Sequence, residues 1–147
     1  MSIHPILWLK VLTSNDRDFT RDLRNNNREY FHNHEEISID QHDKWFDERL
    51  RDKIPTFHII MLGDTKIGTI SIDNHGNIGE IGNVVIDSYQ RGEGYGKRAM
   101  YIAMGLAVSR GASVLRISVE VGNSVATLFY EKLGFISKAV IMEKSCL

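Results

Sequence analysis

The sequence lacks several features that mark particular classes of protein. It has one cysteine, Cys146, and two prolines, Pro5 and Pro55, among 147 residues. A single cysteine cannot form a disulfide within the chain, which favours a reducing compartment, and we expect the cytoplasm. No apolar run reaches the roughly 18 residues of a membrane-spanning helix. The segment 1–10 has neither the basic start nor the apolar stretch of a signal peptide, so none is predicted.

Positive and negative charges are nearly balanced. The chain has 18 lysines and arginines against 19 aspartates and glutamates, a formal net charge of -1. This balance favours neither nucleic acid nor an anionic membrane as a partner. Hydrophobic residues make up 42% of the sequence, enough to form a core in a chain of this length. We therefore predict a single domain over residues 1–147.

A dedicated metal site is not indicated either. His32 and His34 lie beside two glutamates, and His42 follows them. A metal centre needs further ligands in a defined geometry, and this spacing specifies none. We expect these histidines to be exposed residues near helix ends, and we predict no bound metal.

What the sequence does contain is an alternation of strand and helix patterns. The predicted strands are 6–12, 56–62, 66–73, 77–88, 113–121 and 135–144, and the predicted helices are one that ends near Arg28 and those at 38–53, 95–110 and 123–133. The resulting order is β-α-α-β-β-β-α-β-α-β. Residues 63–65 should turn a hairpin, whereas strands 77–88 and 113–121, joined through a helix, should be parallel. The predicted fold class is α+β, an α/β/α arrangement around a mixed sheet.

A glycine-rich stretch, QRGEGYG, follows the strand at 77–88 and opens the helix at 95–110. The first N–H groups of a helix lack a partner within it and favour an anion, and glycines let a phosphate approach the backbone. Alternating glycines alone are a weak signal, because a loop that needs positive φ angles has the same pattern. The stretch matches neither a P-loop, which ends in Gly-Lys-Ser/Thr, nor the glycine spacing of a dinucleotide fingerprint.

A second motif, NSVATLFYEKLGF at residues 123–135, comes one strand later. Together, YQRGEGYGKRAM and NSVATLFYEKLGF resemble the GNAT superfamily of acyl-CoA N-acyltransferases. Arg91-x-x-Gly94-x-Gly96 matches the family's Arg/Gln-x-x-Gly-x-Gly/Ala signature, and the second segment matches its Asn-x-x-Ala-x-x-Leu/Phe-Tyr-x-x-x-Gly-Phe pattern. The order of elements also fits that fold, so the resemblance covers nearly the whole chain. It implies an acetyl-CoA-dependent N-acetyltransferase with one splayed pair of parallel strands.

The resemblance places the cofactor on the glycine turn and the strand before it. Main-chain N–H groups of the turn would hold the pyrophosphate of coenzyme A, and residues 84–86 would pair with its pantetheine arm as an added strand. Gly82 and Asn83 could host the bulge that usually splays this strand in the family. Many members have proline where Ser88 stands. The residues expected to bind acetyl-CoA are Val84, Val85, Ile86, Arg91, Gly92, Glu93, Gly94, Tyr95, Gly96, Lys97 and Asn123.

Two residues are candidates for proton transfer. Tyr130 matches the tyrosine of the family's second motif and would protonate the leaving thiolate; its alternative role is that of a half-buried packing aromatic. Glu80, which shares a face with Val84 and Ile86 if the strand is regular, would deprotonate the attacking amine. A solvated strand carboxylate is an equal alternative for Glu80, because many relatives leave this step to water. Asn123 is expected both to cap its helix and to contact the cofactor.

The acceptor pocket in this family comes mostly from the first two helices and the loops between them. The corresponding stretch, residues 23–50, resembles that of bacterial members that acetylate nucleotide-linked amino sugars. Arg24 would meet a phosphate or carboxylate and Trp45 would stack on a ring, although a surface ion pair and a core position explain the same residues. We expect a small-molecule amine such as an amino sugar as the acceptor.

Other functions and assemblies stay open at this point. The acceptor could instead be the N-terminus of a ribosomal protein or peptide, and the chain could be an acyl-CoA-binding module without activity. A pure binding module would need neither Tyr130 nor Glu80. An unpaired edge strand also allows a homodimer.

Overall fold

The computed structural model describes residues 4–146. The chain separates into two compact units, of which the first ends at Ile117 and the second begins at Ser118. That the whole chain forms one domain stays a prediction. Within the described residues, none of the helices is both long enough and apolar enough to cross a membrane.

The first unit holds a five-stranded sheet and three α-helices. The strands are β1 (Leu7–Val11), β2 (Phe57–Leu62), β3 (Thr65–His75), β4 (Ile78–Ile86) and β5 (Val114–Arg116), and the helices are α1 (Arg17–Asn26), α2 (Ile39–Leu50) and α3 (Tyr95–Ser109). The second unit contributes α4 (Ser124–Lys132). The strand order is β1-β2-β3-β4-β5. Strands β1 to β4 pair with one another in antiparallel fashion, and β5 is parallel to β4. This mixed sheet confirms the predicted fold class, including the β2–β3 hairpin and the parallel pair.

The first two helices are fixed by capping and by ion pairs. The side chain of Ser38 accepts a hydrogen bond from the N–H of Gln41, and the Ser38 N–H donates to Oε1 of Gln41, which is the capping box expected at the start of α2. Arg17 on α1 lies 3.1 Å from a carboxylate oxygen of Asp43 and 2.6 Å from one of Asp47. One guanidinium therefore joins α1 to two positions on α2.

The two faces of the sheet are filled differently. The α1/α2 face packs against those helices through large side chains, namely Leu12, Phe46, Phe57, Ile59 and Met61, with Phe19 and Trp45 against them. The α3 face packs against a helix whose buried residues are mostly alanines, namely Ala99, Ala103 and Ala107, together with Met100. Gly79 on β4 permits this close approach, because a Cβ there would lie 2.8 Å from the Cβ of Ala107.

β4 contains a bulge at Gly82 and Asn83, the position that could host the bulge usual in the resembled family. Ser71 on β3 pairs with Gly82 and Thr69 pairs with Val85, so β4 has one residue more than β3 in this interval. Asn83 adopts a positive φ of 50° there, which asparagine tolerates better than most residues. Its carbonyl oxygen accepts a hydrogen bond from Thr69 Oγ1 at 2.9 Å, and its side-chain amide donates to Ser71 Oγ at 3.0 Å. Side chains of the neighbouring strand thus hold the bulge in place.

Two predicted strands differ from the structure. The strand expected at 113–121 is regular over Val114–Arg116, where it pairs with Ile78–Glu80 of β4. Just beyond this point β4 enters its bulge, which disrupts the ladder that a longer β5 would need. The stretch expected as a strand at 135–144 has no regular secondary structure. Alternating apolar residues decide which side chains can share a face, but a strand also needs a hydrogen-bonded neighbour.

Candidate active site

The glycine stretch forms the turn between β4 and α3. β4 ends at Ile86, a single 3-10 turn covers Ser88–Gln90, and α3 begins at Tyr95. Gly92 and Gly94 have φ angles of 83° and 80°, which a residue with a Cβ adopts only at a cost. A Cβ at either position would meet no heavy atom within 4 Å. The two glycines are therefore required for backbone conformation rather than for packing, and they leave open space at the turn.

The start of α3 suits an anion. The N–H groups of Tyr95, Gly96 and Lys97 belong to its first turn and have no partner within the helix. This turn, which is fully described, contains no acidic residue, whereas Lys97 and Arg98 are both present and exposed. Positive side chains at a helix N-terminus are unfavourable with respect to the helix dipole. The arrangement therefore favours a negatively charged ligand such as a phosphate group.

The strand before the turn has main-chain groups that β5 does not use. In the described chain, pairing between β4 and β5 covers Ile78–Glu80 and ends there. Residues 81–86 continue β4 to the glycine turn and pair with β3 along one edge. Their N–H and C=O groups on the opposite edge can hydrogen-bond an extended molecule as a further strand.

The bulge corrects one prediction about Glu80. A regular strand would place Glu80 on the same face as Val84 and Ile86. In the structure, Gly82 and Val85 pair with residues two apart on β3 and therefore share a face. The face that carries Glu80 thus continues through Gly82 to Val85, because the extra residue reverses the alternation. Glu80 itself is exposed.

A cavity of about 340 Å³ opens on the α1/α2 face. Its walls come from α1, the segment between α1 and α2, α2 itself, and the strands beneath them. The aromatic side chains that line it are Phe31, Trp45 and Phe57, and the polar ones include Thr20, Arg24, Gln41, His42, Thr69 and Asn83. Among the described residues that line this cavity, none is an aspartate or a glutamate. Asn83, at the bulge of β4, therefore lines the same cavity as side chains from both α1 and α2.

Arg24 and Trp45, the two residues predicted to bind the acceptor, both line this cavity. The guanidinium of Arg24 donates to the carbonyl oxygen of Asn33 at 2.6 Å and to that of Glu35 at 3.0 Å. It also lies over the ring of Phe31, 4.8 Å from its centre. Burial lowers the pKa of Arg24, but a guanidinium remains charged at neutral pH. Arg24 thus orders one wall of the cavity and adds positive charge to it.

Arg91 is held by contacts within the protein. Its Nε donates to the carbonyl oxygen of Ile86 at 3.0 Å and its Nη1 to the hydroxyl of Tyr30 at 3.1 Å. Its Nη2 donates to Oδ1 of Asn27, and the guanidinium lies 4.8 Å from the centre of the Tyr30 ring. A direct bond from Arg91 to the cofactor stays a prediction, while its contact with the end of α1 is a feature of the structure.

The second unit carries the other motif. Asn123 caps α4 by accepting a hydrogen bond from the N–H of Ala126 at 3.1 Å, as predicted. Gly134, at a φ of 97°, ends the helix, and the N–H of Phe135 turns back to the carbonyl oxygen of Tyr130 at 3.1 Å. Burial raises the pKa of the Tyr130 phenol. The phenol therefore keeps its proton throughout the neutral range, as a proton donor must.

A family model described as the acetyltransferase (GNAT) family matches residues 9–135 of the sequence. The chain belongs to this family. The match contains both motifs and most of the chain, and it confirms the predicted family.

Similar proteins agree with the family assignment. The sequence is 34% identical over 86 residues to the glucosamine 6-phosphate N-acetyltransferase of Arabidopsis thaliana. The matched stretch covers 58% of this chain and 56% of that protein. A possible acetyltransferase from Clostridium difficile 630 has a TM-score of 0.78 at 18% identity, over 97% of this chain and 98% of that one. The spermidine N-acetyltransferase from Vibrio cholerae, in complex with CoA and spermine, has a TM-score of 0.78 at 20% identity, over 94% and 85%. The chain thus spans just over half of its curated relative and shares its fold with both structures.

The structure of the acetyltransferase brings some predicted residues together and not others. Arg24 and Trp45 share the cavity with Asn83, which adjoins the predicted cofactor residues 84–86. Glu80 is not among the residues that line it, and Tyr130 belongs to the second unit. Across residues 4–146, no group of three or more histidines, cysteines, aspartates or glutamates could hold a metal ion.

His42 is the residue of the acetyltransferase that the sequence interpretation missed. We predicted an exposed position near a helix end, whereas His42 is 2% exposed and lines the cavity. Its Nε2 lies 3.0 Å from Oγ1 of Thr20. Burial lowers the pKa of His42, so the ring is neutral near pH 7. The signal that could have found it is spacing, because His42, Trp45 and Phe46 are at i, i+3 and i+4 on one helical face.

Proposed function

We propose that the protein transfers the acetyl group of acetyl-CoA to the primary amine of a small molecule, and that this molecule is an amino sugar. The observation that carries the proposal is the cavity on the α1/α2 face. It is lined by the predicted acceptor residues Arg24 and Trp45 together with Asn83, which immediately precedes the predicted cofactor strand. An acceptor in this cavity would lie next to a thioester held along that strand.

Acetyl-CoA would bind along the second half of β4 and across the glycine turn. The edge of residues 84–86 that faces away from β3 is not paired with β5, and its main-chain groups suit the pantetheine arm. The N–H groups at the start of α3, with Lys97 and Arg98 beside them, suit the pyrophosphate. The CoA complex of the Vibrio cholerae enzyme, which has the same fold, supports this donor. Acetyl-CoA would supply the acetyl group in activated form, as a thioester.

The cavity favours an acceptor with one amine on an anionic or neutral body. The described lining residues include no carboxylate, and Arg24 makes the wall positive. Polyamines and aminoglycosides carry several ammonium groups, which such a wall would repel or leave unpaired. A sugar phosphate could instead pair with the fork of Arg24 and pack its ring against Trp45. The name of the Arabidopsis relative, a glucosamine 6-phosphate N-acetyltransferase, supports the same class.

The chemistry would need few groups from the protein. The amine must lose a proton before it attacks, and Glu80 or water would accept that proton. A main-chain N–H near Val84 would stabilise the oxyanion of the tetrahedral intermediate. Tyr130 would return a proton to the leaving thiolate; its motif and its raised pKa support this role.

An acceptor screen that follows release of the CoA thiol tests the substrate class. The panel should contain glucosamine 6-phosphate, glucosamine, UDP-amino sugars, spermidine, an aminoglycoside and a peptide with a free N-terminus. We expect phosphorylated amino sugars to exceed glucosamine in kcat/KM by about 10-fold or more, since a charge-assisted bond to Arg24 contributes on the order of 1.5–3 kcal/mol. Highest turnover with spermidine, the aminoglycoside or the peptide would contradict the proposed acceptor.

Replacement of Tyr130 tests the proton donor. Tyr130→Phe should lower kcat by about 100-fold and leave the Kd for acetyl-CoA nearly unchanged, because the ring remains and only the proton is lost. The matched control is Tyr101→Phe on α3, where the tyrosine is 54% exposed. Equal turnover in Tyr130→Phe and the wild type would remove the phenol from the mechanism.

A further inference from the structure

Arg91 belongs to the glycine turn, yet its guanidinium contacts the end of α1. Its partners Tyr30 and Asn27 precede it by 61 and 64 residues. A third bond, from Nε to the carbonyl oxygen of Ile86, ties the same side chain to the last residue of β4. Each nitrogen of the guanidinium therefore donates to a protein acceptor, and the ring of Tyr30 packs against its face. We name this set of contacts the Arg91 bridge.

Asn27 and Tyr30 lie where one wall of the cavity begins. Asn27 is 5% exposed and donates from Nδ2 to the carbonyl oxygen of Leu23 at 2.8 Å, which anchors it to α1. Tyr30 ends the 3-10 turn Arg28–Tyr30, and the next residue, Phe31, lines the cavity. The Arg91 bridge therefore fixes the first part of this wall.

Side chains of α1 hold the remainder of the wall through hydrogen bonds. Asn25 donates to the carbonyl oxygen of Ile37 at 3.0 Å and accepts from its N–H at 2.9 Å, and Arg24 holds the carbonyl oxygens of Asn33 and Glu35. We call residues 28–37 the wall segment. In these contacts its far part is joined to α1, and its first part is joined to both α1 and the glycine turn.

We propose that Arg91 is a positioning residue through which the cofactor turn sets the shape of the acceptor cavity. This inference rests on the proposed function, in which the glycine turn binds CoA. A ligand that restricts the turn also restricts Arg91, and Arg91 in turn restricts Tyr30 and the wall segment. Such coupling is reciprocal, so an acceptor in the cavity raises the affinity for the cofactor by the same factor.

Hydrogen exchange of the full chain, with CoA as the probe, tests this coupling. In the wild type, saturating CoA should slow exchange in the wall segment by about fivefold, the lower end of ordinary coupling between sites. In Arg91→Ala this slowing should fall below about twofold, while calorimetry still detects bound CoA. Tyr30→Phe keeps the ring and loses the hydroxyl, so its slowing should be intermediate. Arg51→Ala removes an exposed arginine after α2 and should behave like the wild type.

Three results would overturn the proposal. The first is CoA-dependent slowing that is the same in Arg91→Ala and the wild type, which is what a merely structural role for Arg91 would give. The second is a wild-type protein that binds CoA without protection of the wall segment. The third is failure of the wild type to bind CoA by calorimetry, and this result alone would also overturn the proposed function.

Discussion

The α3 face of the sheet is closely packed, whereas the α1/α2 face encloses a cavity of about 340 Å³. On the α3 face, alanines of the helix approach the strands until only a hydrogen fits at Gly79. The strands contribute four isoleucines there, each at most 1% exposed, namely Ile60, Ile70, Ile72 and Ile81. On the other face, aromatic rings lie among buried polar side chains, namely Asp16, Thr20, His42 and Thr69. Close packing gains contacts and excludes ligands, so the less closely packed face is the one that can hold a ligand.

The largest effect on stability should come from the buried carboxylate on the α1/α2 face. Asp16 is fully buried and lies 2.5 Å from Nζ of Lys10 and 2.7 Å from Nζ of Lys66. Asp16→Ala leaves both ammonium groups without their partner, and urea titration should show a loss of about 3 kcal/mol in the free energy of unfolding. Asp18→Ala removes an exposed carboxylate paired with Arg21 and should cost less than about 1 kcal/mol. Equal losses in the two variants would mean that polar contacts on this face do not support the fold.

A side chain at Gly79 tests how closely the α3 face is packed. The added carbons of Gly79→Val would overlap Ala107, and we expect unfolding in urea to show a loss of about 2 kcal/mol. Gly105→Ala on α3 is the matched control, because a Cβ there meets no heavy atom within 4 Å. The control should gain about 0.5 kcal/mol from helix propensity. A neutral Gly79→Val would show that helix and sheet can separate without cost.

Loss of Arg24 should affect binding more than stability. With a phosphorylated amino sugar as the acceptor, Arg24→Gln should raise KM by about 10-fold with a smaller change in kcat, since the charge contacts substrate and transition state alike. Arg21→Gln, one turn earlier on α1, removes an arginine whose ion pair to Asp18 is local and should leave KM unchanged. An unchanged KM in Arg24→Gln would assign that residue to ordering the wall alone.

The smallest expected effect is a pH dependence of stability. Burial alone would raise the pKa of Asp16, but hydrogen bonds from Lys10, Lys66 and Thr13 outweigh burial and hold the pKa below its usual value. A carboxyl with a lowered folded-state pKa stabilises the protein above its unfolded pKa of about 3.9. That contribution is lost as the pH falls through the folded pKa. Melting temperatures measured below about pH 4 should therefore fall more steeply in the wild type than in Asp16→Asn; parallel curves would contradict this role of Asp16.

Local chemistry is the part of the molecule that the sequence predicts well. The capping box at Ser38, the cap at Asn123 and the positive φ angles of Gly92 and Gly94 each depend on a few neighbouring residues. A short stretch of sequence contains all the atoms that decide such features. The glycine turn could therefore be described correctly before its surroundings were known.

Features made by distant residues could not be predicted in the same way. The partners of Arg91 lie more than 60 residues away, and no spacing in the sequence relates them. The family resemblance allowed a bulge at Gly82 and Asn83, but the bulge itself and its effect on the face of Glu80 follow only from the register with β3. The cytoplasmic location and the homodimer stay predictions, because both depend on surroundings beyond a single chain.

The extra residue at Asn83 changes which residues of β4 lie on each face of the sheet. Before it, the even-numbered residues Glu80 and Gly82 lie on one face of the sheet; after it, the odd-numbered Val85 lies on that same face. Deleting Asn83 would leave Gly82 and Val85 two residues apart, so both would keep their present faces and a regular ladder with β3 would replace the bulge. A mutation that shortens the chain by one residue would thus remove the bulge and the kink that it gives to the binding edge, whereas most substitutions there would alter only one side chain.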